Sequence, residues 1–499
     1  MDTADTTSGD RESWVPFLTD TCSELQAARV RIKALEAEVA NLKKQIANNN
    51  NTARVTEPYS LRAEEQRQQA RGRRKKPRET RKQRRGRIAN EEKIKQAEKT
   101  ADVYPQGVPI EQCRLSHIRV VWRLLEGRAV RVAYRIFRGP KKQYGVLPGV
   151  LGRSEYGFEI VVELAFLMQQ IGLSFDKLCA TVNFLQNLKL SKSQVEALLK
   201  QLSLAWSEEF EVLCTLLAHS LVVHADETGW SINSVWVFLS EKARLLFFGV
   251  HKDADTLKEI LDPQTFTGTV FSDDAAVYAH FTAAQKCWAH LLRKAIKLTL
   301  QAPGQEGYRT FADELLKIYH DAKRVQCDGR LGDAGRDRKE KELLRRLFAL
   351  CGPVCREQAE STGLAHDWWL LAEELVRLAL RDELFTFLSC DVGEQPNGRK
   401  PVLDGTNNEA ERKLRGEAQA RATGRTSKTT VGARRTTVVG SVLESLRLYL
   451  PEFTLGKVIE EVQRWREVGR SCFRELLDTL QIPLPEHSVL DRVLPQPSG

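Results

Sequence analysis

The chain has 499 residues, 42% of them hydrophobic, and a formal net charge of +10, which predicts two to four globular domains with ample core. Ten scattered cysteines without paired CxxC motifs exclude a disulfide-stapled scaffold and a zinc ribbon. No apolar leader lies in residues 1–20 and no apolar run is long enough to span a bilayer, so we expect a cytosolic protein without a membrane partner.

Residues 1–51 are predicted to form a coiled-coil helix. Apolar residues occupy two positions of a heptad repeat: Leu25, Ile32, Val39 and Ile46 at one, and Ala28, Leu35 and Leu42 at the other. β-Branched residues mostly at one position favour a parallel two-stranded coiled coil, and therefore a homo-oligomer. The alternative is a single amphipathic helix that packs on its own domain.

Residues 52–103 are predicted to be a basic, disordered arm. Residues 62–87 contain thirteen Lys or Arg and three Glu, so this segment carries the net charge of the whole chain. Such a segment cannot bury a core and orders when it meets a polyanion. The alternative is a solvated linker or a run like a nuclear-localisation signal. The side chains expected to contact DNA are Arg73, Arg74, Lys75, Lys76, Arg84 and Arg85.

Residues 104–216 are predicted to be mixed at first and then helical. The first part includes the β-like stretch RAVRVAYRIF, and the helical part begins near residue 159. Within it, two helices flank a break at Leu188–Leu190, with Ser191 or Ser193 as the N-cap of the second. This pattern fits a DNA-binding helix-turn-helix whose second helix presents Lys192, although any helical hairpin gives the same pattern.

Residues 217–300 are predicted to be the first part of an α/β, ribonuclease H-like catalytic core. The stretches SLVVHADET, SVWVFLSE and RLLFFGVH predict three strands, followed by the helix ADTLKEIL, the strand GTVFSDD and the helix AAQKCWAHLLRKAIKLTL. In this order the first and fourth strands are neighbours at the centre of the sheet. Asp226 and Asp273 would then emerge side by side.

The rest of the chain is predicted to complete this core. Residues 301–400 form a helical insertion, residues 401–470 are the second part of the core with a helix that carries Glu411, and residues 471–499 are a C-terminal tail. A Gly/Thr/Arg-rich loop follows the Glu411 helix. Its cations suit phosphate contacts that fix register without reading sequence: Arg421, Arg425, Lys428, Arg434 and Arg435.

Asp226, Asp273 and Glu411 are the candidate catalytic and metal-binding residues. Three acids brought together can hold two divalent cations about 3.5–4 Å apart, as in-line attack on a phosphodiester requires. Two of them have a neighbouring alternative, Asp274 and Glu409. Asp273 is preferred because it directly follows the strand, and Glu411 because it lies nearer the apolar face of its helix.

The motifs HADETGW, VFSDDAAVY–CWAHLLRK and NNEAERKLR–TGRTSK–GARR–SVLESLR together resemble the bacterial insertion sequence 66 family of DDE transposases over roughly residues 155–465. The resemblance implies that Asp226, Asp273 and Glu411 are the catalytic triad and that residues 287–290 are the family's CWAH motif. Only Cys113 and His117 remain where family members commonly carry a zinc-finger-like module, TGRTSK replaces a GRKN-like form, and Asp274–Ala275 replaces Gly-Tyr.

The implied activity is transposition of DNA with two Mg²⁺ or Mn²⁺ ions, in which DNA strands are cleaved at the element's ends and transferred to a target. The implied partners are the terminal inverted repeats, target DNA and accessory proteins from the same element, at the bacterial nucleoid. Two alternatives are an inactive or co-opted DNA-binding derivative and a ribonuclease H-like nuclease that cuts without joining.

Overall fold

The computed structural model describes residues 89–356 and 362–494, together with six helical positions between residues 31 and 41. The chain divides into two units, Met1–Arg84 and Arg85–Gly499. The predicted coiled coil, apart from those six positions, and the arm cations Arg73 to Arg85 lie outside the described residues. Within the described part, no helix is both long and apolar enough to cross a membrane.

A small three-stranded sheet opens the second unit. Helix α1 (Asn90–Lys95) precedes the sheet. Its strands are β1 (Lys99–Val103), β2 (Arg114–Leu125) and β3 (Arg128–Arg138), in the order β1-β3-β2. RAVRVAYRIF is therefore confirmed as a strand. Residues 90–103, which their sequence places in the arm, instead form a helix and a strand, because β1 pairs in parallel with β3.

Four helices follow: α2 (Phe158–Gln169), α3 (Phe175–Gln186), α4 (Lys192–Ala205) and α5 (Ser207–Ala218). The predicted break between α3 and α4 is confirmed, and it begins at Asn187, which has a left-handed backbone. Ser191 is the N-cap of α4 and forms a capping box with Gln194. The buried face of α4 (Val195, Leu198, Leu199 and Leu202) packs into the main core, and the opposite face is exposed along the length of the helix.

The central sheet has five strands: β4 (Val222–Gly229), β5 (Ser234–Ser240), β6 (Arg244–Val250), β7 (Thr269–Ser272) and β8 (Ala284–Lys286). Helix α6 (Ala254–Ile260) connects β6 to β7. The order is β6-β5-β4-β7-β8, with β4, β5 and β6 antiparallel and β4, β7 and β8 parallel. The predicted adjacency of the first and fourth strands is confirmed.

Strand β8 corrects one prediction. Residues 284–286 were expected to begin a helix, but they pair with β7, and the next helix begins at Trp288. The buried amide of Gln285 explains the difference, since it donates to the Leu384 carbonyl and accepts from the Phe387 amide. These partners lie about a hundred residues away, so tertiary contacts override local propensity.

A helical subdomain separates β8 from the last part of the core. It consists of α7 (Trp288–Gln301), α8 (Glu306–Cys327), α9 (Asp333–Arg356) and α10 (Leu364–Leu380). These helices share an apolar core of their own, and Trp288 belongs to that core. The Trp288 indole donates to the Leu384 carbonyl at 2.7 Å, which fixes the start of α7 against the chain that returns from the subdomain.

The chain ends in α11 (Asn408–Ala422), α12 (Thr430–Tyr449), α13 (Leu455–Val468), α14 (Cys472–Thr479) and α15 (Val489–Val493). Helix α12 lies along the edge strand β6. The hydroxyls of Thr437, Ser441 and Ser445 accept hydrogen bonds from the backbone amides of Phe248, Leu246 and Arg244, at 2.9–3.0 Å. Four residues of helix rise about 6 Å and two residues of strand about 6.7 Å, so the two repeats nearly match. The helix thus covers an otherwise open sheet edge.

Candidate active site

Asp226 and Asp273 lie on neighbouring parallel strands. The register of β4 and β7 pairs Val222 with Thr269 and His224 with Phe271, and two residues further along it places Asp226 beside Asp273. Asp273 directly follows β7, as predicted. Asp226 does not end its strand: β4 continues to Gly229 through its pairing with β5, and Asp226 lies just past the pairing with β7.

The charges of neighbouring acids act on the Asp226 carboxyl group. Burial, together with the charges of Glu227, Asp273 and Glu411, raises the pKa of Asp226 from 3.8 to about 7 against the opposing hydrogen bond from the Glu227 amide. A mostly buried carboxyl group surrounded by like charges is a costly arrangement. Positive charge beside Asp226 would offset this cost.

The surroundings of Asp273 and Asp274 separate these two neighbours. The Asp273 carboxylate accepts from the Ala275 amide at 3.0 Å, and its carbonyl accepts from the Lys286 ammonium group at 3.1 Å. Asp274 is exposed and forms an ion pair with Arg377 of helix α10. Asp273 is thus held at the sheet, whereas the charge of Asp274 is neutralised outside it.

Glu411 and Glu409 point to different partners. Both Glu411 oxygens accept from Arg293 of α7 at 3.1 Å, and the Glu411 side chain is only 15% exposed. His290 and the Cys287 sulfur approach the same carboxylate at 3.6 and 3.8 Å. Glu409 instead pairs with Arg244 of β6 at 2.6 Å. Of these two glutamates, Glu411 is the one whose charge contributes to the raised pKa of Asp226.

Asn407 connects the elements that carry these acids. Its side-chain amide donates to the Ala225 carbonyl at 2.8 Å, beside Asp226, and its backbone amide donates to the Cys287 sulfur at 3.1 Å. Asn407 occupies the N-cap position of α11, but its side chain does not cap that helix. It fixes α11 to the centre of the sheet and thereby positions Glu411.

Sequence reasoning missed several charged residues beside the acids. Glu227 is buried and accepts hydrogen bonds from the Tyr278 hydroxyl and, at 2.8 Å, from Lys252. Lys286 is also buried, and burial lowers its pKa. In the sequence, Glu227 directly follows Asp226 and Lys286 directly precedes the CWAH motif. These positions could have identified both residues.

A model of the IS66 transposase family matches residues 153–435, more than half of the chain. The chain belongs to the IS66 family of transposases. The resemblance inferred from the motifs is therefore confirmed, and all three acids lie within the matched segment. No curated protein matches the chain.

The acidic residues of this IS66 family transposase have the donor chemistry that divalent ions require. Carboxylate oxygens suit Mg²⁺ and Mn²⁺, and the like-charge repulsion on Asp226 is relieved by a cation. Among the described residues, only Cys287, His290 and Glu411 bring three potential ligand atoms within 4.8 Å of one another. Burial raises the pKa of the Cys287 thiol, so it is a poor ligand at neutral pH. The ligands of a two-ion centre are spread over the coordination spheres of both ions. The ligand atoms of Asp226, Asp273 and Glu411 therefore need not all lie within 4.8 Å of one another.

Cys113 and His117 show no arrangement typical of a zinc site. The Cys113 thiol contacts the Pro109 carbonyl at 3.4 Å, and the His117 ring contacts Ser116 at 3.2 Å. In the part of the chain that the structure describes, neither residue belongs to a cluster of potential metal ligands.

The cations of the predicted DNA-binding loop have different surroundings. Arg421 donates to the Gly229 carbonyl at 2.6 Å, and Arg425 donates to the Gly172 carbonyl at 2.5 Å. Arg434 binds helix α15 through Asp491 at 2.6 Å, and Arg435 is buried beside Glu196 at 3.5 Å. Lys428 has no ion-pair partner among the described residues. Lys192, at the start of α4, pairs with Asp176 on the surface.

Proposed function

We propose that this chain is a DNA transposase with a ribonuclease H-like catalytic core, in which Asp226, Asp273 and Glu411 hold two divalent ions, Mg²⁺ or Mn²⁺. Membership of the IS66 family supports the substrate class. The observation that carries the assignment of residues is the parallel pairing of β4 and β7, which sets the two aspartates side by side. The strand order, with the first strand between the second and the fourth, is the order of that core.

Each residue has a role that follows from its surroundings. The charges of both other acids act on Asp226, so Asp226 would help to hold the ions. Asp273 is held by the Ala275 amide, and Glu411 is held by its ion pair with Arg293. When bound, the ions activate the attacking oxygen and stabilise the leaving oxygen in DNA cleavage and strand transfer.

The remaining parts of the chain supply DNA affinity and pairing of subunits. The basic segment of residues 62–87 gives sequence-neutral, salt-dependent binding to the terminal repeats and the target. The heptads of residues 22–47 pair two subunits, so that both ends of the element are held together.

The decisive experiment is a cleavage and strand-transfer assay with the native element ends, in Mg²⁺ and in EDTA. Asp226→Asn should still bind terminal-repeat DNA but should not nick it, because a carboxylate that would hold the ions is lost. Asp274→Asn is the matched control and should nick normally, since Asp274 pairs with Arg377 outside the cluster.

The products distinguish the other possible functions. Nicking without joined products would indicate a nuclease, and binding without nicking by the wild type would indicate an inactive DNA-binding derivative. Normal nicking by Asp226→Asn would overturn the assignment of the acids.

A further inference from the structure

A groove of about 760 Å³ lies behind the helix that carries Glu411. Helix α11, the loop after it and the start of α12 form one side, and the α2–α3 connection and the start of α4 form the other. Lys192 of the predicted helix-turn-helix and Lys428 of the Gly/Thr/Arg-rich loop both border it. Two segments that are far apart in sequence, and that were each expected to contact DNA, therefore share one groove.

The lining of this groove is positively charged. Its acidic residues are Asp176, Glu196 and Glu417, and its basic residues are Lys192, Arg412, Lys413, Arg425, Lys428 and Arg435. Asp176 and Glu196 are paired with lining cations, whereas Arg412 and Lys428 have no ion-pair partner in residues 89–356 and 362–494. The excess positive charge suits a polyanion.

A glycine within α11 leaves the groove floor bare. Gly416 is exposed, and a Cβ atom built on it would meet nothing within 4 Å. Glycine is among the poorest helix formers, and no packing among the described residues requires one here. A glycine at this position in the groove permits another molecule to approach the helix backbone closely.

The groove walls also hold buried donors without an acceptor. Arg435 is 5% exposed and its Nε has no hydrogen-bond partner, and the buried indole Nε1 of the half-buried Trp230 also lacks one. Buried donors are nearly always satisfied in folded proteins. Both of these donors belong to residues that line the groove.

We propose that this groove binds the sugar–phosphate backbone of DNA at a second position, on the opposite side of α11 from the three acids. Glu411 and Gly416 lie about 140° apart around the helix, and a helix with its side chains is about 10–12 Å thick. DNA in the groove is thus a different segment from the one that is cleaved. The inference rests on the proposed function only for the identity of the polyanion.

Lysine acetylation, followed by mass spectrometry, tests the proposal with the full-length wild-type chain in EDTA. A short mixed-sequence duplex and the corresponding single strand serve as probes. Lys192 and Lys428 should react more slowly when DNA is bound. Lys457 of α13 is the matched control, because it also pairs with a surface carboxylate but lies outside the groove. Unchanged reactivity of Lys428 with both probes would overturn the proposal, and the better-protecting probe identifies the form of DNA bound.

Filling the groove provides an independent test. Gly416→Leu should weaken DNA binding about tenfold, equivalent to about 1.4 kcal/mol, since the side chain occupies the space required by the backbone. Gly456→Leu is the control, because Gly456 is an exposed helical glycine of α13 that also has open space above it. Equal affinity of Gly416→Leu and wild type would refute the proposal.

The groove and the catalytic assignment can fail separately. Loss of binding in Gly416→Leu together with a wild type that does not cleave would retain the groove and reject the proposed activity. If the wild type cleaves DNA but DNA does not slow the acetylation of Lys428, the catalytic assignment is retained and the groove proposal is rejected.

Discussion

Replacing Asp226 by Asn should stabilise the metal-free protein while abolishing its activity. Burial and neighbouring acids raise the pKa of Asp226 from 3.8 to about 7. A carboxyl group whose pKa is raised by folding costs stability once the pH exceeds its unfolded value, and the full cost is present above its folded value. At 1.36 kcal/mol per pH unit, that cost reaches at most about 4 kcal/mol. Asparagine cannot ionise, so it removes the cost.

Urea unfolding in EDTA measures this effect. The gain in unfolding free energy should be largest near about pH 8 and should shrink toward about pH 4, where the carboxyl group is protonated in both states. Asp274→Asn should show no gain, because that acid is exposed and paired with Arg377. Mg²⁺ should stabilise the wild type more than Asp226→Asn. A gain that does not vary with pH, or a loss near about pH 8, would refute the reasoning.

Three further predictions concern other parts of the chain. Glu411→Gln should abolish nicking in a plasmid assay, whereas Glu409→Gln should retain it, because only Glu411 acts on Asp226. Ser441→Ala should lower the unfolding free energy by about 1–3 kcal/mol in urea, since it leaves a buried β6 amide unpaired. Ser389→Ala, at an exposed hydroxyl, should have little effect. Deleting residues 62–87 should reduce both DNA affinity and its salt dependence in a titration.

The order of the central strands could be predicted because each strand carries its own apolar pattern. The runs before Asp226 and Asp273 are apolar and bounded by polar residues, and the intervening strands form hairpins. Strand β8 has no such pattern: Ala-Gln-Lys favours a helix, and only the pairing with β7 and the bonds of Gln285 make it a strand. Strand β1, within residues 90–103, was not predicted for the same reason, because it forms by pairing with β3.

The candidate site could be predicted only as far as the acids themselves. Their neighbours are set by contacts between distant segments, as with Arg293 and Glu411 or Asn407 and Ala225. The choice between Asp273 and Asp274 depended on position after the strand, and the Arg377 pair now supports it. No local pattern distinguishes a cation that binds DNA from one, such as Arg434, that binds its own chain.

The hydrogen bonds between α12 and β6 also fix the distance between the groove and the central sheet. The first turns of α12 border the groove through Arg435 and Thr436, while Thr437, Ser441 and Ser445 are bonded to the sheet. Sliding the helix by one turn would leave at least one of the three amides without its hydroxyl. Helix α12 therefore keeps the groove, and any DNA bound in it, at a constant distance from the strands that lead to Asp226 and Asp273.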